Sequence, residues 1–262
     1  MAREAPSVFA SLVDRRYEDE MKIGDYLNVT PISNLTARTK TKASNAAITY
    51  ETITETNVQI NVATWEYSAI ATETIVGLQA KMDLMEKYAP KNGYALAVAV
   101  ETALAGLIDD FTQNVGTLAV GLDYTKYVRA RQYLLDAKAD VTQAAFVVSP
   151  AEEANLLDMD KVVNNDYSSV HGDSPRDTGL KMAYSRSLLR IPVYVTTFVE
   201  GTNAAGHDNG LFHREAIALV MQKKPTTHTF FDIDYFVNKV AVEQIYGYKE
   251  MRDDHGVWMK GA

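Results

Sequence analysis

The chain has 262 residues, a formal net charge of −8 and a sequence pI near 5.2. Its 47% apolar and 10% aromatic residues suffice for a buried core, so global disorder is excluded, and the length fits one large domain or two intimate ones. It has no cysteine, which excludes disulfides, thiol catalysis and Cys-ligated zinc, and the acidic balance argues against a dedicated nucleic-acid binder, though not against a protein that encloses nucleic acid without gripping it.

Residues 1–33 read as an arm. The opening MAREAPSVFASLVDRRYEDE is heavily charged and has no long apolar stretch, so it is neither a signal peptide nor a membrane span. Val8, Phe9, Leu12 and Val13 suit a short amphipathic turn, and Gly24 to Pro31 reads as a turn into a short strand that ends at proline.

Residues 36–64 read as one long polar β-ribbon. Thr, Ile and Val dominate, Val58, Ile60 and Val62 alternate with polar or small residues, and Asn45-Ala46-Ala47 is the expected turn. Two arms of about fifteen residues each reach roughly 50 Å at ~3.3 Å per residue. A compact chain of this length has a radius of gyration of only roughly 18 Å. The first arm alternates threonine with charge and has little to fold back onto, so projection toward a partner is expected. Fifteen tyrosines agree, because Tyr suits surfaces with one dry and one wet side.

Helical spacing of Ile75, Leu78, Met82 and Met85 predicts a helix over 73–89, interrupted by Pro90. A longer one over 91–113 carries Leu96, Val100, Leu104, Leu107 and Phe111 on one face and is closed by Asn114 and Gly116. Asp123 is an N-cap for a helix through Ala139, residues 144–150 are a short buried strand, and Ser149-Pro150 opens a further helix through Leu157. Residues 163–180 read as a loop and 191–199 as a strand. Together they suggest a small α/β unit over roughly 122–200.

Residues 200–210 read as a loop and 211–222 as a strand or short helix. From Thr229 the apolar positions alternate through Phe231, Ile233, Tyr235 and Val237, then change phase at Val240 and Val242, which predicts a turn or bulge near Asn238-Lys239. The chain closes in further strands.

No nucleophile elbow, zincin, Walker or dinucleotide-binding motif is present, and the five histidines never pair at ligand spacing. Asp232 and Asp234 share a strand face, which could hold a divalent ion, but a solvated face above a core filled by Phe231, Ile233 and Tyr235 is the favoured reading. Arg38, Lys40 and Lys42 lie two apart on one face of the first arm. They suit phosphate contact, a solvated edge that discourages strand pairing, or docking on acids of a neighbouring subunit; the last two together are favoured, with Glu51 and Glu55 on the return arm as the acids. Tyr50 joins these as an inter-subunit contact candidate. No catalytic residue, metal or cofactor is expected.

The order of parts resembles the major capsid proteins of tailed bacteriophages, the Hong-Kong-97-type fold. It comprises an arm, a Gly24-Asp25-x-Leu27-x-Val29-x-Pro31 strand, a long polar ribbon, an alanine-rich helix, an inserted α/β unit and an Ile245-Tyr-Gly-Tyr-Lys249 closing run. The resemblance implies an α+β fold. Its parts are an N-arm at 1–33, an extended β-hairpin loop at 34–66, a peripheral domain at 67–121 and 201–262 with a spine helix at 91–113, and an axial domain at 122–200.

It further implies a non-enzymatic protein that assembles with itself into pentamers and hexamers, enclosing double-stranded DNA in a virion built in the host cytoplasm. A portal protein and a decoration protein are implied partners. The chain opens on Met-Ala without a long scaffolding segment, so a separate scaffolding protein is expected. An encapsulin-type nanocompartment shares the fold and is the first alternative. A small α/β enzyme or ligand-binding protein with an oligomerising β-arm is the second.

Overall fold

The computed structural model describes residues 8–19, 21, 23–30, 35–40, 42, 47–52, 57–75, 84–159, 162 and 187–262. The expected 163–180 loop, the Asn45-Ala46 part of the ribbon turn and Glu55 lie outside them.

Two sheets organise the chain. The first has the order β10-β11-β3, built from β3 (Thr64–Glu73), β10 (Ile217–Asp232) and β11 (Val237–Glu250), all antiparallel. Along β11, Val240, Val242, Gln244 and Tyr246 alternate inward. They face α2 (Leu84–Ala105), whose Leu96, Val100 and Leu104 are buried, and Gln244 donates to the Leu96 carbonyl at 3.0 Å.

The second sheet takes β4 (Asn114–Gly116), β12 (Gly256–Gly261), β9 (Gly206–His213), β5 (Ala144–Val148), β7 (Ile191–Val195) and β6 (Ser187–Leu188) in that order, and β8 (Gly201–Thr202) pairs with β9. Its core includes α3 (Tyr124–Asp136) through Tyr127, Ala130 and Leu134 and α4 (Pro150–Asp158) through Leu156. Ser149 caps α4 as expected, accepting the Glu152 N–H at 3.1 Å.

Several expectations need correction. Thr74 and Ile75 are helical, 76–83 lie outside the described residues, and the helix over Leu84–Ala105 runs through Pro90 instead of being interrupted there and stops at Ala105 rather than at 113. Pro90 lies on the exposed face, where the carbonyl it leaves without a donor can be hydrated. Ile108 and Phe111 still enter the core, but from the turn beyond the helix, and Asn114 to Gly116 form β4 rather than a cap.

The segment 200–210 is not a loop but a tight hairpin, β8 with the start of β9. Residues 211–222 are strand on both sides of a 3₁₀ turn at Arg214–Ala216. The α/β unit at 122–200 does not close on its own, because its sheet recruits β4, β9 and β12 from outside that range.

The reversal between β10 and β11 falls at 233–236, not at 238–239. Phe231, Ile233 and Tyr235 therefore sit at a hairpin tip instead of filling the core. Ile233 is 70% and Tyr235 73% exposed.

Candidate functional site

The ribbon grows from a small two-stranded base. β1 (Tyr26–Val29) pairs antiparallel with β2 (Val58–Asn61) in a register that runs from Tyr26 opposite Asn61 to Val29 opposite Val58. Ile60 and Val62 are buried with Met21, Ala218 and Val220, which anchors the base on β10. Gly247 explains itself here: a Cβ at this position would overlap the Asn61 carbonyl oxygen, so β2 crosses β11 where the closing run has no side chain.

Beyond the base the ribbon leaves the core. Among the described residues of 35–52 only Glu51 is half-buried; Leu35, Ile48 and Tyr50 (83% exposed) stand in solvent with Arg38, Lys40 and Lys42. The expected long β-ladder is absent from these residues. Threonine alternating with charge offers neither face anything to bury, so side chains tie the arms instead. Glu51 accepts the Thr36 backbone N–H at 3.1 Å and lies 3.4 Å from the Arg38 guanidinium. The structure thus brings Arg38 and Glu51 together within one chain.

A second exposed surface was not legible as such. The outer face of the first sheet carries Trp65 and Tyr67 from β3 and Phe230 from β10, all largely exposed. Among them Glu243 accepts from Trp65 Nε1 at 2.8 Å and contacts His228 Nε2 at 2.9 Å and Lys223 Nζ. The Lys223 and Trp65 hydrogen bonds hold its carboxyl down at about 2. At the tip Asp232 caps the turn by accepting the Asp234 N–H at 3.1 Å and pairs with Lys239 at 2.6 Å. The signal in the sequence was the pairs Phe230-Phe231 and Tyr235-Phe236, which put rings on both faces of the hairpin. A half-buried strand does not do that.

Three buried carboxylates, Glu101, Asp14 and Glu152, are tied into the fold by hydrogen bonds. Glu101, 1% exposed, accepts the backbone N–H groups of Val8, Phe9 and Ala10 at 2.7–2.9 Å and so seats α1 (Phe9–Leu12) on α2. Asp14 bridges to β10 through its backbone. Burial disfavours its ionisation, but hydrogen bonds from Arg16 outweigh that and hold the carboxyl below its usual range.

Fully buried Glu152 accepts from Tyr127 Oη at 2.9 Å and from the backbone N–H groups of Leu122 at 3.1 Å and Ala262 at 3.2 Å, and burial pushes its carboxyl up. A cleft of about 360 Å³ beside the arm holds charges already occupied with each other, Arg16 with Asp14 and Glu215. Among the described residues no group of three or more His, Asp or Glu could hold a metal ion, and no helix is long and apolar enough to cross a membrane.

No protein-family model and no curated protein matches the chain. Solved structures do. A structure from Mycobacterium phage Che8 superposes with a TM-score of 0.82 at 19% identity, covering 100% of this chain and 93% of that one. The capsid structure of the cyanophage P-SCSP1u gives 0.77 at 14% identity, over 100% and 90% of the two chains. The asymmetric unit of the bacteriophage PhiM1 mature capsid gives 0.73 at 15% identity, over 99% and 88%. At these identities the likeness is one of fold, and it runs the length of the chain. The chain has the fold of these phage capsid structures, which is the α+β fold expected from the resemblance.

Proposed function

We propose that the chain is the major capsid protein of a tailed bacteriophage, a structural rather than catalytic protein that assembles with itself into an icosahedral shell around double-stranded DNA. The observation that carries this reading is the whole-chain likeness to two phage capsid structures. The same likeness favours a phage capsid over a nanocompartment shell. The acidic balance suits a container that does not adhere to packed DNA.

Within this reading residues 1–33 act as the arm, 34–66 as the extended loop on an adjacent subunit, 67–121 with 201–262 as the peripheral domain and 122–200 as the axial domain. Arg38, Lys40, Lys42, Tyr50, Glu51 and Glu55 are the proposed inter-subunit contacts of the loop. Arg38 and Glu51 also tie the arms of the ribbon within one chain, and Lys40, Lys42 and Tyr50 are exposed members of the set. Portal, scaffolding and decoration proteins are the further partners, and the shell is built in the host cytoplasm. Negative-stain microscopy of the overexpressed chain tests the reading. Shells, tubes or ring-shaped capsomers are expected, and a field of monomers at high concentration contradicts it.

A further inference from the structure

Among the described residues the chain passes between the two sheets three times, at 106–113, at 214–216 and at 251–255. The three crossovers are laced together. The Met251 N–H donates to the Ala216 carbonyl at 2.7 Å and the Arg252 N–H to the same oxygen at 3.3 Å. Thr112 N–H donates to Asp253 Oδ1 at 2.7 Å, and the Phe111 ring fills the space that a side chain at Gly256 would need.

Two histidines are buried in this lacing. His213 ends β9 and His255 ends the third crossover. Their rings meet edge to face with centroids 5.5 Å apart. His213 Nδ1 accepts the Glu215 N–H at 3.2 Å, so that nitrogen is unprotonated in this arrangement. His255 Nδ1 is buried without a partner among the described residues. A proton on either ring puts charge beside the other ring in a dry site.

We propose that this joint is acid-sensitive: protonation of the buried His213–His255 pair opens the lacing of 214–216 against 251–256 and loosens the connection between the two sheets. The groups around the pair set its balance. Burial is the strongest influence on His255 and pushes it below the usual imidazole value; Arg252 and the His213 ring also oppose its charge, while Asp254, 3.8 Å from His255 Nε2, and Glu215 favour it. Asp140 lies close enough to His213 to feel its charge. α3, which packs on this turn, carries Arg131 with its Nε buried.

At the end of β11, just before this crossover, Glu250 works in the opposite direction: burial and the Asp253 and Asp110 carboxylates push it up to about 7, so acid neutralises it. The apolar cluster of Phe9, Leu104, Phe212, Ile217 and Tyr246 beneath the joint is held by packing that neither imidazole takes part in, so the opening is local.

Because burial disfavours the charged form of His255, the stabilisation its neutral ring gives is present above the unfolded pKa near 6.5 and is lost as pH falls below that value. Hydrogen–deuterium exchange of the full chain at pH 7.5 and pH 5.0, corrected for intrinsic rates, reads it directly. Segments 212–218 and 249–257 are expected to exchange about tenfold faster or more at pH 5.0, with β5 unchanged, and the double variant His213→Gln/His255→Gln to abolish the difference. If that double variant does not fold, His255→Phe, which keeps the ring volume without the charge, is expected to remove most of it. Equal exchange at the two pH values overturns the proposal. So does the same acceleration in the folded variant, or a loss of protection that includes β5.

Discussion

Glu101, about one turn before the end of α2, accepts the backbone N–H of Phe9 at 2.7 Å across 92 residues of chain. The same carboxylate takes the N–H groups of Val8 and Ala10, so one buried side chain does for α1 what a local cap would otherwise do. Glu101→Ala leaves three amide donors unpaired in a dry site. It is expected to cost roughly 2–4 kcal/mol in urea unfolding and to expose the arm to proteolysis near Phe9. Unchanged stability and unchanged cleavage would remove Glu101 from this role.

Gly247 is the point where the ribbon base lies on the first sheet. Gly247→Val drives a branched side chain into the Asn61 carbonyl and is expected to destabilise the subunit by about 1–3 kcal/mol, read as a lower thermal midpoint. The same substitution at Gly93, inside α2 and where a Cβ meets nothing, is the control and should be neutral or slightly stabilising, by no more than about 0.5 kcal/mol, because Val is the better helix former.

These two sites mark the boundary of what sequence reasoning reached. The apolar turn at 8–13, the strand after Gly24 at Tyr26–Val29, the α3 face of Tyr127, Ala130 and Leu134 and the Ser149 cap all follow from short-range periodicity and capping, and all are present. What periodicity cannot carry is where a strand ends in space. The alternation through Phe231, Ile233 and Tyr235 is real, but it continues past the last residue that α2 covers, so the same pattern that signals a core face runs out to a solvent-exposed tip. The Pro90 break failed for a related reason: packing of Leu96, Val100 and Leu104 outweighs one missing hydrogen bond on the wet side. For the ribbon, length and polarity announced projection correctly. Strand pairing did not follow, because nothing buries either face. Glu101, Glu152 and the histidine pair act over long sequence separations and left no local signal.

Glu250 gives a pH dependence with a definite sign. Its carboxyl is pushed up to about 7 in the fold against an ordinary value near 4.5, so the neutral form is favoured. Its stabilising contribution is present below the unfolded value and is lost as pH rises through about 7. Glu250→Gln keeps the shape without the charge. It is expected to raise the thermal midpoint at pH 8 and to leave it nearly unchanged at pH 4.5, which differential scanning calorimetry at the two pH values checks.

The aromatic hairpin tip separates folding from assembly. Ile233 and Tyr235 touch little of their own chain, so Ile233→Ser/Tyr235→Ser is expected to change subunit stability by no more than about 0.5 kcal/mol per site. If the tip meets a second copy, the same variant forms fewer or smaller particles, visible as a shift from shells to free subunits on a sucrose gradient. Wild-type particle yield from a stably folded variant would take the tip out of the contact surface.

The central claim is that the ribbon finds its partner on the next copy of the chain. Sedimentation velocity of the full chain beside a deletion of residues 40–58 measures it most directly. The full chain is expected to sediment as large assemblies. The deletion, with an unchanged far-ultraviolet spectrum from its two sheets, is expected to run as lone subunits or small rings that do not close. Assemblies of normal size from the deletion, or a full chain that stays a single 29.0 kDa species at high concentration, would contradict the account.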